Sequence, residues 1–389
     1  MTRVPTVART VTPIRFSAPF RTGLEAQLLA EVIESPIWHG DGAFTRRATE
    51  WVRSFTGAGS ALLTTSGTHA LELAAILLDL RPGDEVICPS FTFTSTATAI
   101  ALRGATPVFV DIRPDTLNLD VEAVRAAITD RTRAVFVVHY GGVAADIDEL
   151  VTLTASLGIA VVEDNAHGMD AYWRGRHLGT FGTFGAQSFH DTKNITSGEG
   201  GALLINDPSF VVRAEIVREK GTDRAKFLRG GVAKYTWQDV GSSYLPSELN
   251  AALLLAQVDA FAMMQRRRRE VWAIYARDLA NWCARYGVEM MHVPAGNRHP
   301  AHVFYLMMPA PTDQAGLIKF LGEREISAVF HYQPLDSSPA GRRLGRTPIP
   351  CRVTADRAAR IVRLPLHPGL SPEAVERVVT TVCQFRPGP

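Results

Sequence analysis

Lys193 stands in the run Ser188-Phe189-His190-Asp191-Thr192-Lys193-Asn194, followed by the small-residue turn Thr196-Ser197-Gly198-Glu199-Gly200-Gly201. Five lysines (193, 220, 226, 234 and 319) occur among 41 basic residues, so arginine is the habitual cation of this chain and an amine has been kept here. A partly buried amine can shed its proton and condense with an aldehyde, which a guanidinium cannot do. That chemistry is the one by which pyridoxal phosphate (PLP) is held, as an imine on a lysine. The competing reading is a lysine on an ordinary exposed loop. An apolar run ends at Ser188 and another begins at Ala202-Leu203-Leu204-Ile205. Lys193 therefore lies in a connection between two buried strands, where functional groups concentrate.

Four other segments hold residue types that PLP requires. Thr65-Ser66-Gly67-Thr68 precedes an apolar-periodic stretch over 69–78. A helix N-terminus there would offer free N–H groups and a positive dipole end to a phosphate, with Gly67 allowing close approach and Thr68 adding a hydroxyl. An ordinary N-cap is the alternative. Ser188 is a further phosphate donor. Asp164 ends the run Ala160-Val161-Val162-Glu163-Asp164. A carboxylate at the end of a strand could keep a pyridine nitrogen protonated. His167, three residues on, could reach the ring oxygen, whereas Glu163 should point to the other side of the strand. The segment 89–96 brings Phe91 and Phe93, either of which could stack on a ring or simply fill the core. The polar and aromatic run Trp237-Gln238-Asp239-Val240-Gly241-Ser242-Ser243-Tyr244 is read as the opening of a helix.

The elements that must position these residues follow from periodicity. Between 60 and 255 the chain alternates apolar strand-like runs (85–89, 107–111, 134–139, 160–164, 186–190 and 202–205) with helical patterns (68–78, 121–127 and 147–157). Such alternation predicts an α/β fold whose mostly parallel sheet is covered on both faces and binds its ligand at the carboxyl ends of the strands. A long helix is predicted over 246–279, then strands at 302–308 and 326–330 and helices at 314–323, 355–361 and 372–383. These make a smaller C-terminal α+β domain. The division is placed at 1–255, an N-terminal arm and large domain, and 256–389, a small domain. The 389 residues, 46% hydrophobic and 21% charged, suit a globular protein of about two domains.

A formal net charge of +2 gives no reason to expect a nucleic-acid partner. The one basic run, Arg266-Arg267-Arg268-Arg269, is read as a solvated helix face. Cys88, Cys283, Cys351 and Cys383 have no metal-ligand spacing, so no metal site is expected and reduced thiols in a cytoplasm are. No apolar stretch reaches membrane-spanning length.

Taken in order, these segments resemble the nucleotide-sugar aminotransferases of the DegT/DnrJ type, within the fold-type I PLP enzymes. The resemblance runs from Gly40 to about Pro368. It is carried by Ser66-Gly67-Thr68-His69-Ala70-Leu71, Gly83-Asp84-Glu85-Val86, Glu163-Asp164-Asn165-Ala166-His167, Ser188 to Gly201, His331-Tyr332-Gln333-Pro334-Leu335 and Leu364-Pro365-Leu366-His367-Pro368. It implies that Lys193 carries PLP, that Gly67, Thr68 and Ser188 bind its phosphate, and that Asp164 pairs with the ring nitrogen. His167 would lie near the ring oxygen and Phe93, rather than Phe91, would stack on the ring. His331 and Tyr332 are candidates for the substrate pocket. The family implies a homodimer, or a dimer of dimers, with active sites shared between subunits and Ser243 reaching the neighbour's cofactor. Here the chain departs from the pattern, with Ser243 and Leu245 where most of the family has Asn and Arg. Segments 219–224 and 234–245, with Thr192-Lys193-Asn194-Ile195-Thr196, resemble one subgroup, the TDP-4-keto-6-deoxy-D-glucose 4-aminotransferases. The implied partners are that TDP-keto sugar and L-glutamate. Amination at another sugar position such as C3, a PLP-dependent sugar dehydratase and a non-catalytic PLP-binding sensor stand as alternatives.

Overall fold

Val135, Phe136 and Val137 are successive residues of one strand, and all three are inaccessible to solvent. A strand buried on both faces must be covered twice, and the computed structural model, which describes residues 12–388, supplies both covers. Seven strands lie in the spatial order Ser60–Thr64, Gly201–Ile205, Phe184–Ser188, Ala160–Asp164, Thr132–Val138, Glu85–Pro89, Thr106–Val110. Six run in the same direction, and only Gly201–Ile205 opposes its neighbours. The parity of each strand sorts its residues. Val86, Cys88, Phe136, Val162 and Phe184 pack under helices Gly67–Leu77, Thr94–Ala101 and Val211–Arg218. Ile87, Val108, Val135, Val137 and Val161 pack under Val121–Ala127 and Ile147–Ala155. At the far edge, Ala61, Leu63, Ala202 and Leu204 meet helices Ala43–Thr56 and Glu248–Val258.

The Glu163 reading follows the same parity. Its carboxylate is fully buried on the side away from Asp164's neighbours and accepts N–H bonds from Gly179, Phe181 and Gly182 at 2.6–2.7 Å. The Ala145 N–H donates to Nδ1 of His139, which leaves the proton on Nε2 to donate to Glu163 at 2.9 Å. Glu163 is thus fully satisfied by structure.

The C-terminal part forms a separate three-stranded antiparallel sheet, Glu289–Met290, Tyr305–Met307 and Ile361–Arg363. Helices Phe261–Asp278, Ala280–Tyr286, Pro311–Gly322 and Pro372–Gln384 pack on it through Tyr275, Phe304, Leu306, Val362 and Val378. The arm adds Ile14, whose N–H donates to the Glu325 carbonyl and whose carbonyl accepts from Ser327.

Three expectations are corrected. The helix expected over 246–279 is two helices, Glu248–Val258 and Phe261–Asp278, interrupted at Asp259-Ala260. The stretch 326–330 makes only isolated bridges, Ile326 to Ile14 and Val329 to Arg363. The four arginines are not one solvated face. Arg266 and Arg267 are exposed, but Arg268 is buried and donates to the carbonyls of Leu366 and Lys193 at 3.1 and 3.3 Å. Helical rotation sends every third or fourth residue of a run inward, and here that residue braces the backbone of Lys193.

Candidate active site

The carboxyl ends of the parallel strands open onto a cavity of about 420 Å³, and the small C-terminal sheet and the arm close it from the other side. Strand Phe184–Ser188 ends at the cavity with Ser188, and the turn after it presents Lys193. Strand Ala160–Asp164 ends there with Asp164. Gly67, Thr68, Phe93 and His167 also line it, as do His331 and Tyr332.

At one wall, helix Gly67–Leu77 points its N-terminus inward. Ser66 is the cap and accepts from the His69 N–H at 3.1 Å, so the leading N–H groups of Gly67 and Thr68 have no intrahelical acceptor. A Cβ on Gly67 would stand 2.9 Å from the Ser188 Cβ and 3.2 Å from the Gln187 carbonyl, so no side chain fits where an anion could be cradled. The Thr68 hydroxyl is 2.7 Å from the Ser95 hydroxyl, a donor that sequence reading passed over.

Asp164 is buried and held from two sides. The Thr96 hydroxyl donates to Oδ2 at 2.7 Å and the Ala166 N–H donates to Oδ1 at 3.3 Å. Burial raises its pKa, opposed by those two donors and by the Lys193 charge. A cationic ring nitrogen beside it would favour the ionised form. Lys193 is half-buried, and loss of water, opposed by the Asp164 carboxylate and assisted by the Arg363 guanidinium, pushes its amine down to about 8. A large share of such an amine is neutral near pH 8, as nucleophilic and proton-carrying lysines need to be.

The opposite wall is aromatic. The Gly141 N–H donates to Nδ1 of His167 at 3.2 Å, which leaves the His167 proton on Nε2, 3.3 Å from the Tyr332 hydroxyl. His167 stacks on His302 with centroids 4.3 Å apart, and His302 Nδ1 bonds the Asn194 amide oxygen at 2.7 Å, next to Lys193 in sequence. His331 stacks on Tyr332 at 3.6 Å and shares a 2.8 Å bond with the Tyr140 hydroxyl. Burial holds His167, His302 and His331 well below the ordinary histidine value, so all three are neutral near pH 7. Tyr332 sits at φ +26°, a strained backbone of the sort retained where a side chain must be aimed. Phe93 is 58% exposed at the cavity mouth, whereas Phe91 is buried in the core. The Phe93 ring centroid is 6.3 Å from that of Tyr332, and its exposed surface is what it can offer to a second ring.

These residues fit PLP: a cradle of N–H and hydroxyl donors, a carboxylate, an amine of lowered pKa and an exposed aromatic ring line one cavity. Ser243 is not among the lining residues; it is exposed and bridges to Glu219. Sequence reading missed Phe16 and Ser17 of the arm, His302 and Arg363, all of which line the cavity. Each reaches it by tertiary folding, without a local motif.

Residues 21–383 match the model of the DegT/DnrJ/EryC1/StrS aminotransferase family. Among solved structures the chain is similar to the aminotransferase TlmJ of Streptoalloteichus hindustanus, with 29% identity and a TM-score of 0.88 over 96% of this chain and 98% of that one. It is similar to 3-amino-5-hydroxybenzoic acid synthase, with 28% identity and a TM-score of 0.86 over 96% and 98%. It is also similar to Spr1654 of Streptococcus pneumoniae, with 25% identity and a TM-score of 0.87 over 95% and 97%; that protein is known in a PMP form and a PLP form.

Proposed function

The chain belongs to the DegT/DnrJ/EryC1/StrS aminotransferase family, and from that premise we propose that it carries the amino group of L-glutamate to C4 of TDP-4-keto-6-deoxy-D-glucose. The products are 2-oxoglutarate and a TDP-4-amino-4,6-dideoxyhexose. The fold is that of the fold-type I PLP aminotransferases, and the cofactor is PLP. Transamination rests above all on Lys193, an amine brought down to about 8 in the cavity that also holds Asp164. The choice of a 4-keto sugar rests on segments 219–224 and 234–245, which resemble the 4-aminotransferase subgroup.

When bound, PLP supplies a sink for the electron pair left behind as a proton leaves the donor's α-carbon. Gly67, Thr68 and Ser188 bind its phosphate through N–H and hydroxyl donors. Asp164, fixed by Thr96 and Ala166, would keep the ring nitrogen protonated, and Phe93 would offer its ring to the cofactor. Lys193 Nζ would take the proton from the donor's α-carbon, and addition of water at that carbon would free the 2-oxo acid and leave the nitrogen behind for the second half. In the second half Nζ moves a proton in the reverse direction and sets it on C4 of the sugar. His167, neutral with its proton on Nε2, would donate toward the ring oxygen. His331 and Tyr332 border the space left for substrate, and Phe16 and Ser17 of the arm help exclude water from it.

The working unit of this reading is a homodimer in the cytoplasm. Trp38, Trp237, Leu228 and Val240 are exposed, Trp237 by 79%, and Trp237 and Val240 lie in the segment that leads into Ser243. A second copy would cover that apolar surface and take Ser243 to its own cofactor phosphate. No helix among the described residues is long and apolar enough to cross a membrane.

The test is product analysis. Incubation of the holoenzyme with ¹⁵N-labelled L-glutamate and TDP-4-keto-6-deoxy-D-glucose should give a sugar whose label couples to C4 in the NMR spectrum. Label at C3 of a 3-keto isomer, with the 4-keto sugar returned unchanged, would reassign the position and keep the aminotransferase.

A further inference from the structure

A buried chain of hydrogen bonds runs from Asp170 to the cavity, and its direction can be read from one end to the other. Asp170 is buried and paired with Arg298 at 2.6 Å and with Arg269, so its carboxylate can only accept. Gln265 therefore gives it the amide nitrogen, at 3.1 Å, and the same nitrogen donates to the Pro300 carbonyl at 3.3 Å. That turns the Gln265 amide oxygen toward Asn194, whose nitrogen donates to it at 2.9 Å and to Pro300 at 2.8 Å. The Asn194 amide oxygen is left to face His302, 2.7 Å from Nδ1, so Nδ1 must carry the ring proton. Burial holds the His302 pKa well below the ordinary histidine value, so there is one ring proton and Nε2 is bare.

His302 lines the same cavity as Lys193, its ring held by the stack on His167, and its one side-chain hydrogen bond among the described residues is the one from Nδ1. A bare acceptor in a pocket that sheds its water when substrate enters loses free energy unless the substrate supplies a donor. Other acceptors of the cavity are committed: Asp164 to Thr96 and Ala166, Nδ1 of His167 to Gly141, and Glu199 lies beside His190. L-Glutamate brings no hydroxyl, and its only N–H group is the one transferred. The hexose of the 4-keto sugar brings two hydroxyls, on C2 and C3. C3 is bonded to the carbon that Lys193 protonates, and His302 is tied through Asn194 to the residue next to Lys193. We propose that His302 Nε2 accepts from the C3 hydroxyl of the keto sugar and so selects substrates with a hydroxyl beside the reacting carbonyl, a role that rests on the sugar reading above.

Taking the hydroxyl from the substrate and Nε2 from the enzyme should cost once, not twice. The PMP form of the wild-type holoenzyme should react with the 3-deoxy analogue, TDP-4-keto-3,6-dideoxy-D-glucose, roughly 10- to 100-fold less well in kcat/KM than with TDP-4-keto-6-deoxy-D-glucose. H302N sets an amide N–H where Nδ1–H was, which keeps the bond to Asn194, but has no atom at the Nε2 position. It should lose a similar factor on the parent sugar and use the analogue within about threefold of the parent. H302F, which keeps a ring against His167 and removes both nitrogens, should level the two sugars in the same way. A purely structural role for His302 would instead lower both sugars alike and leave their ratio at the wild-type value. Equal use of the two sugars by wild type overturns the proposal, and so does a wild-type preference that survives in both variants. A PMP form that accepts neither sugar overturns the substrate reading instead, and is seen before any variant is made.

Discussion

Lys193→Ala should lose steady-state transamination by at least about 10³-fold, because one side chain both holds the cofactor and moves the proton in each half-reaction. Weak cofactor binding should survive in that variant, since Gly67, Thr68 and Ser188 are untouched and also line the cavity. Substantial turnover by Lys193→Ala would remove Lys193 from the centre of the account. The pH dependence carries the same message with a definite sign. Only the neutral amine reacts, and burial lowers its pKa to about 8. Capture of PLP by the apoprotein should therefore rise with pH through about 8, more than two units below the usual lysine range. Lys193→Ala also reports on shared sites. Mixed with an inactive Ser243 variant, it should regain activity through hybrid dimers in which one site is intact, and failure of the mixture to recover would leave Ser243 outside the neighbour's site.

Asp164→Asn is expected to cost roughly 10²- to 10³-fold in kcat, the size seen when one preorganised electrostatic contact is removed. Shape is kept, so the fold should be unchanged. Asn can still accept one of the two bonds that Thr96 and Ala166 donate, but it cannot carry the charge that keeps the ring nitrogen protonated. The substitution has a second consequence of opposite location. Asp164 is the group that holds the Lys193 pKa up against burial. Without the carboxylate the amine should titrate lower still, moving the pH profile of PLP capture below about 8. Wild-type kcat in Asp164→Asn would mean that another group protonates the ring.

The parts of the site that could be read from the sequence are those written in one short segment. Thr65 to Thr68 announces a helix start, Ala160 to Asp164 a strand with a carboxylate at its end, and Ser188 to Gly201 an amine between two strands. Each is a local rule of backbone geometry, and the limits drawn for the six strands between 85 and 205 lie within two residues of those in the structure. What escaped is tertiary. Arg363 looks like any arginine near the end of a short strand until the small sheet folds over the large one and leaves it facing Lys193. Arg268 hides in a run of four like residues, and only the rotation of a packed helix decides that it, and not Arg267, supports the Lys193 backbone. The break between Val258 and Phe261 is likewise invisible to hydrophobic period, since both helices present apolar faces and no proline or glycine marks the join.

The central claim is that Lys193 and its surroundings form a PLP site that exchanges an amino group between L-glutamate and a TDP-linked keto sugar. The most direct measurement is the absorbance spectrum of the purified protein supplied with PLP, recorded before and after addition of L-glutamate and then of TDP-4-keto-6-deoxy-D-glucose. A visible band of the lysine-bound cofactor that fades with glutamate and returns with the sugar is the predicted result. A protein that shows no such band, even with PLP added, would contradict it.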